Sequence, residues 1–222
     1  TAGNLLRALA KPLGFQVDKE SGNYTFLQTQ FAQFAKADLS VTYHHVFNPR
    51  HRLVWHIDMG AAVPYGNSQT IPFEKRYFAG GANSVRGWSV RSLGPGSFMG
   101  NDGNIDFINQ TGDVKLDMSA EFRVHLFWKF DGAVFVDAGN IWTLRDYKDQ
   151  PGGQFRWDTC WEQIAVAYGL GIRLNLNYFL LRFDAGMKAI NPAYTDKKLH
   201  YPIIYPNFKR DFTFHFAVGL PF

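Results

Sequence analysis

The residues best suited to chemistry stand in one stretch, RYFAGGANSVRGWSVRSLGPG at 76–96. Arg76, Arg86 and Arg91 are spread along it. A guanidinium held on a tightly turning backbone calls for an anionic partner, which its planar fork can engage through two parallel hydrogen bonds. Gly80-Gly81 and Gly94-Pro95-Gly96 are turn chemistry, because glycine takes positive φ without steric cost and proline presets its own φ. The segment is therefore irregular but specified, and the partner for its charge lies elsewhere in the chain.

Other candidate sites carry less. His44, His45, His51 and His56 have metal-ligating side chains, but 44 and 45 face opposite sides of a strand and the others sit across a turn. Asp102, Asn104 and Asp106 in DGNID have calcium-loop spacing but lack the glycine and distal glutamate of the full motif, so an exposed turn is expected. There is no Gly-x-Ser-x-Gly, no Walker loop and no Cys/His pair. Asp58, Asp117 and Asp184 are accompanied by Lys115, Arg123, Arg173 and Arg182, which reads as salt-bridged lining rather than a catalytic carboxylate set. No enzyme, catalytic residue, cofactor or metal is expected. The single Cys160 excludes an internal disulfide. A net charge of +4 without clustering gives no case for nucleic acid.

What must position the arginines follows from composition and period. The 222 residues suit one domain, with 46% hydrophobic and 19% charged residues. Aromatic residues reach 17%, with 21 Phe, and no window approaches the roughly 18 uninterrupted apolar residues of a membrane helix. No basic region followed by an apolar run opens the sequence, so any signal peptide is expected to be removed or not included. Val114, Leu116, Met118, Ala120, Phe122, Val124 and Leu126 alternate with Lys115, Asp117, Ser119, Glu121, Arg123 and His125. The same period of two runs through 35–43, 53–63, 132–142, 164–174, 179–187 and 212–222. Strands of this length cross a bilayer at a tilt.

A soluble sandwich or a lipocalin-like barrel also alternates, but two features favour a membrane barrel. The polar positions mix glycine with both signs of charge, as a crowded hydrated lumen would. The connections also alternate in length: 47–51, 128–131 and 175–178 are short, whereas 64–113, 143–161 and 190–210 are long. The fold expected is all-β, a transmembrane antiparallel β-barrel with short turns in the periplasm and long loops outside, in the outer membrane of a Gram-negative bacterium. The last strand, apolar at Phe214, Phe216, Val218, Leu220 and Phe222, resembles the C-terminal sorting signal of outer-membrane proteins, and anchoring at the membrane interface explains its terminal aromatic equally well.

With the strands placed, the opening stretch falls in the long loop 64–113. FAGGANSVRGWSVRSLGP resembles the loop motif of the outer-membrane protein assembly superfamily, the BamA/TamA type also called bacterial surface antigen. Its hallmark tetrad is here Val85, Arg86, Gly87 and Trp88, with Trp88 standing where the family more often has Phe or Tyr, preceded by the pair Gly80 and Gly81. AEFR (120–123), VFVDAGNIW (134–142), GLGIRLN (169–175) and LRFDAG (181–186) match further motifs in the family's order.

The resemblance implies that the loop folds back into the barrel and that its arginine is held by acids on the wall, for which Glu121 and Asp137 are the residues at lumen-facing positions. It also implies a barrel of about sixteen strands, of which about eight C-terminal ones are here. Seven alternating segments are complete and TAGNLLRAL counts as a fragment of an eighth. Residues 1–222 then form the C-terminal part of the barrel, without the strands and periplasmic domains that would precede it. A closed eight-stranded barrel is possible but would hold the long loop with difficulty.

The function implied is an insertase or translocase that assembles β-barrel proteins into the outer membrane or moves polypeptide across it. Its openable seam would template a client strand, with FTFHFAVGLPF as one side and Gly219 and Pro221 weakening pairing near the rim. The partners implied are outer-membrane lipid, unfolded β-barrel clients and periplasmic or lipoprotein accessory subunits. The alternative is a barrel that anchors a separate N-terminal effector or serves as a pore.

Overall fold

Each alternating segment becomes a strand because β-branched and aromatic residues at every second position give it one continuous apolar face. The structure, a computed structural model, describes residues 15–17, 24–27, 29–100, 106–176 and 178–222. Three short strands, β1 (Phe15–Val17), β2 (Tyr24–Phe26) and β3 (Thr29–Gln30), form a small sheet. The main sheet has seven strands: β4 (Phe34–Asn48), β5 (His51–Pro64), β6 (Val114–Phe127), β7 (Phe130–Trp142), β8 (Ala165–Asn175), β9 (Leu180–Ile190) and β10 (Phe212–Val218). They lie in simple order, each beside its neighbour in sequence. The sheet does not close among the described residues. TAGNLLRAL lies outside them.

Two compact units divide the chain. The described residues up to Ala37, with Ala62–Arg76, form the smaller one. Asn67 organises it, accepting from the Tyr24 backbone N at 2.7 Å and donating to the Phe31 carbonyl at 3.2 Å. Asp38–Ala61 and Tyr77–Phe222 form the larger unit, which holds most of the sheet. The 64–113 connection is thus shared: its residues up to Arg76 belong to the smaller unit, and from Tyr77 onward they belong to the larger.

Within the larger unit the two faces of the sheet reverse the arrangement of a soluble protein. Glu121, Asp137, Asp184, Arg123, Arg173 and Arg182 are buried, whereas Val134, Leu170, Ile172, Phe214 and Phe216 are exposed, Leu170 to 64%. An apolar face of this extent belongs in hydrocarbon. Among the described residues no helix is long and apolar enough to cross a membrane. At one end the turns are short, with Pro49 and Arg50, Trp128 and Lys129, and 176–179 between successive strands. The alternate connections along the chain, 65–113, 143–164 and 191–211, are long, the last containing α1 (Lys197–His200) and α2 (Phe208–Asp211).

The final strand ends earlier than the alternation predicts. β10 pairs from Phe212 opposite Met187 to Val218 opposite Leu181, and the Gly219 backbone N makes the last ladder bond to the Leu180 carbonyl at 2.8 Å. Gly219 then takes φ +99, a left-handed conformation open to glycine, and Pro221 has no N–H to extend a ladder. Phe214, Phe216 and Val218 are on the exposed apolar face, but Leu220 and Phe222 fall beyond the strand. The Phe222 ring stacks on His56 of β5, with centroids 4.7 Å apart, and lies 5.5 Å from the Arg123 guanidinium of β6. The chain therefore leaves the ladder and returns to the charged face.

Candidate functional site

Strand register builds the site. Ser119 of β6 lies opposite Asp137 of β7, and Glu121 lies opposite Phe135. On β8 and β9, Gly169 faces Gly186, Gly171 faces Asp184 and Arg173 faces Arg182, while β10 adds Thr213 opposite Gly186 and His215 opposite Asp184. All these side chains share one face because successive positions alternate. The acids stand on β6, β7 and β9, and small residues leave a shallow channel between them.

The tip of the 77–113 segment seats in that channel. Gly80 and Gly81, at φ +92 and +104, turn the chain, and Val85, Arg86, Gly87 and Trp88 are all buried. Arg86 meets Asp137 with a two-pronged fork: Nε donates to Oδ2 and Nη2 to Oδ1, both at 2.8 Å. Its backbone N donates to the same carboxylate at 3.1 Å. Nη1 donates to Glu121 Oε2 at 2.5 Å and lies 3.6 Å from Asp184. Nη2 also donates to Ser119 Oγ, which in turn donates to Asp137. The guanidinium lies 3.5 Å above the Phe135 ring centroid, so its face as well as its edge is engaged.

The acids are shared by the wall's own arginines. Glu121 also accepts from Arg123 Nε at 2.6 Å and Arg173 Nη2 at 2.9 Å, and Asp184 pairs with Arg173 and Arg182. These groups are almost completely buried. Buried charges tolerate that only when opposed by charge and hydrogen bonds, and removing one partner costs about 3–5 kcal/mol. Arg182 also reaches the loop backbone, with Nη2 donating to the Ala82 carbonyl at 2.8 Å and to Asn83 Oδ1 at 2.7 Å. Ser84 donates to Asp117 at 2.8 Å, and Asn140 of β7 donates to the Gly96 carbonyl at 2.8 Å. At the loop's entry the Tyr77 hydroxyl donates to Asp38 at 2.6 Å. Burial and then that carboxylate push the Tyr77 phenol up.

The structure thus brings Arg86, Glu121 and Asp137 together, and Gly80, Gly81, Val85, Gly87 and Trp88 shape the same tip. Arg76 and Arg91 have other surroundings: Arg76 Nε donates to the Ile71 carbonyl, and Arg91 lies 4.3 Å over the Phe78 ring. Sequence reasoning did not assign Phe135, Ser119, Asn140, Thr213 or His215 to the loop, and it read Asp184, Arg173 and Arg182 as lining alone. The available signal was the small residues Ala167 and Gly186 at charged-face positions, which mark close approach of another backbone. A Cβ on Gly186 would collide with the Arg86 carbonyl oxygen.

Among the described residues no group of three or more His, Cys, Asp or Glu is placed to hold a metal ion. Asp102 and Asn104 lie outside the described residues. Asp106 closes its own turn, accepting from Ile108 N, Asn109 N and Asn109 Nδ2. The Asn109 side chain and backbone hold its carboxyl below the usual range.

An antiparallel sheet with lipid-suited and charged faces, and a loop pinned to the charged one, defines a membrane β-barrel of one particular kind. Residues 18–222 match the Omp85 superfamily domain, and the chain belongs to that superfamily. Over 97 residues it is 32% identical to outer membrane protein assembly factor BamA of Neisseria meningitidis serogroup B, covering 41% of this chain and 12% of that protein. Its fold matches BamA from Haemophilus ducreyi lacking POTRA domains 1–3 with a TM-score of 0.61 at 16% identity, covering 88% of this chain and 37% of that one. CdiB from Acinetobacter baumannii aligns with a TM-score of 0.47 at 18% identity, covering 88% of this chain and 28% of that one. The chain therefore spans well under half the length of these relatives. It is an outer-membrane β-barrel protein of a Gram-negative bacterium.

Proposed function

We propose that residues 1–222 are the C-terminal part of an insertase or translocase barrel of the BamA/TamA type, which assembles β-barrel proteins into the outer membrane or moves polypeptide across it. The short turns face the periplasm, and 64–113 is an extracellular loop folded into the lumen. The observation that carries this reading is the burial of the loop tip by Arg86 across the charged face. A plain pore would keep that space open for solutes. The relative named as an assembly factor supports it. No covalent step is required: the last strand offers its backbone edge to a client strand, as in strand addition. The partners are outer-membrane lipid, unfolded barrel clients and periplasmic or lipoprotein accessory subunits.

The test locks the seam in the full-length protein. Cysteines replace Ala217, whose side chain makes none of the bonds to the loop, and a facing residue on the first strand of the complete barrel, after Cys160→Ser. The oxidised protein is expected to assemble but to insert no clients, and the reduced protein to recover. Full client insertion by the locked protein would overturn the seam. A pore would conduct equally well in both states.

A further inference from the structure

The loop tip carries two buried carbonyl groups that the acids of β6 and β7 cannot serve, because carboxylates only accept. Both are served by the final strand. The Arg86 carbonyl accepts from His215 Nε2 at 3.0 Å, and the Gly87 carbonyl accepts from Thr213 Oγ1 at 2.9 Å. Since a carbonyl cannot donate, His215 carries its proton on Nε2 in this contact. Between these donors and the acids, the tip's backbone rests on the bare Gly186 of β9, and a Cβ on Gly87 would come 2.7 Å from Ala167 of β8.

β10 has a short ladder, to β9 alone among the described residues, running only from Phe212 to Val218. A short ladder breaks few backbone hydrogen bonds on opening, so it is among the parts of a sheet that open most easily. Two side chains in the first half of this strand are nonetheless tied to a loop that is itself fixed to β6 and β7. We propose that Thr213 and His215 are positioning residues through which the seated loop tip clasps the final strand, so that loop seating and the opening of the β10 edge are one equilibrium. Releasing the tip frees β10, and releasing β10 leaves the tip with two buried, unserved carbonyls. The clasp goes beyond insertase activity and stands whether or not the barrel inserts clients.

Reciprocity gives the test, since a coupling free energy acts equally in both directions. Backbone hydrogen exchange is followed in the full-length protein, reconstituted in lipid, over 85–88, over 212–218 and over 51–55 of β5 as an internal reference. Thr213→Val and His215→Ala should each speed exchange at 85–88 about fivefold, the worth of one neutral hydrogen bond. Arg86→Ala, which removes side-chain hydrogen bonds to β6 and β7, should speed exchange at 212–218 by a similar factor or more. Thr213→Ser and His215→Gln keep a donor and should stay near the parent. These two, with single Thr213→Val, keep the test informative if a harsher variant does not assemble. Unchanged exchange at 212–218 in Arg86→Ala, or at 85–88 in the Thr213 and His215 variants, would overturn the clasp. Acceleration spread equally to 51–55 would do the same, because it would mark general loosening.

Discussion

The loop tip is gripped on two sides by different chemistry. On β6 and β7 the grip is ionic and falls on the Arg86 side chain, with Asp137 and Glu121 as its jaws. On β10 the grip is neutral and falls on the backbone, through the donors Thr213 and His215, with the bare surface at Gly186 of β9 beside them. An ionic grip between buried partners is costly to break because it strands charge, so it fixes where the tip sits. A neutral grip is worth about 1 kcal/mol per bond and yields with little loss, which suits a strand that has to open. One residue, Arg86, takes part in both.

The largest effect should come from Arg86→Ala, which takes the guanidinium from buried Asp137 and from the Arg-paired Glu121, at a cost of about 3–5 kcal/mol where burial is complete. Protection of 76–96 against protease should be lost together with client insertion. Arg86→Lys should also be defective, because an ammonium cannot reproduce the fork. Retained protection in Arg86→Ala would mean that the neutral grip suffices. Next comes Gly186→Val, which drives a side chain into the Arg86 carbonyl and should cost about 1–3 kcal/mol as an overpacked contact. It leaves the acids in place, so crosslinking from the tip to β10 should fall while crosslinking to β7 persists. If both fall together, the two grips are not separable.

Ser84→Ala removes one bond to Asp117 and the acceptor that serves the Gly80 backbone N at 3.2 Å. It should loosen the tip by about 1 kcal/mol, read as faster hydrogen exchange at 80–84. The smallest effect is the acid sensitivity set by Asp211, at the entry to β10. Burial raises its carboxyl, but the Arg210 fork and the Asn207 backbone N outweigh burial and hold it below the usual range. A depressed folded-state pKa adds stability that is present above the ordinary carboxylate value and lost as pH falls through the lowered one. Exchange at 208–212 should therefore match at pH 7 and pH 5 after correction for intrinsic rates, and rise below about pH 4. Asp211→Asn should remove that dependence.

The two grips were unequally legible in the sequence. Glu121 and Asp137 could be placed because ionisable residues at alternate positions of strongly periodic strands must share the polar face, and the motif supplied the arginine they serve. The neutral grip was hidden because its acceptors are peptide carbonyls, which carry no residue identity, and because Ala167 and Gly186 look like filler among larger neighbours. Phe135 was missed for a related reason: an aromatic at a charged-face position breaks the alternation, and its role under the guanidinium appears only once register is known. The seven long strands followed from period two. The early end of β10 did not, since alternation continues through Leu220 and Phe222 while hydrogen bonding stops at Gly219.

The sequence separations of these contacts also set a timetable. Arg86 is 35 residues from Glu121 and 51 from Asp137, but the Thr213 and His215 bonds to the tip span 126 and 129 residues. A chain that is assembled from its N-terminal side can form the ionic grip as soon as β7 is in place. The neutral grip has to wait for β10. Closing the longer loop adds little entropy beyond the shorter one, because the cost grows only with the logarithm of length. What separates the two stages is the arrival of the partner strand, so seating of Gly87 against Thr213 marks the moment at which β10 has joined the sheet.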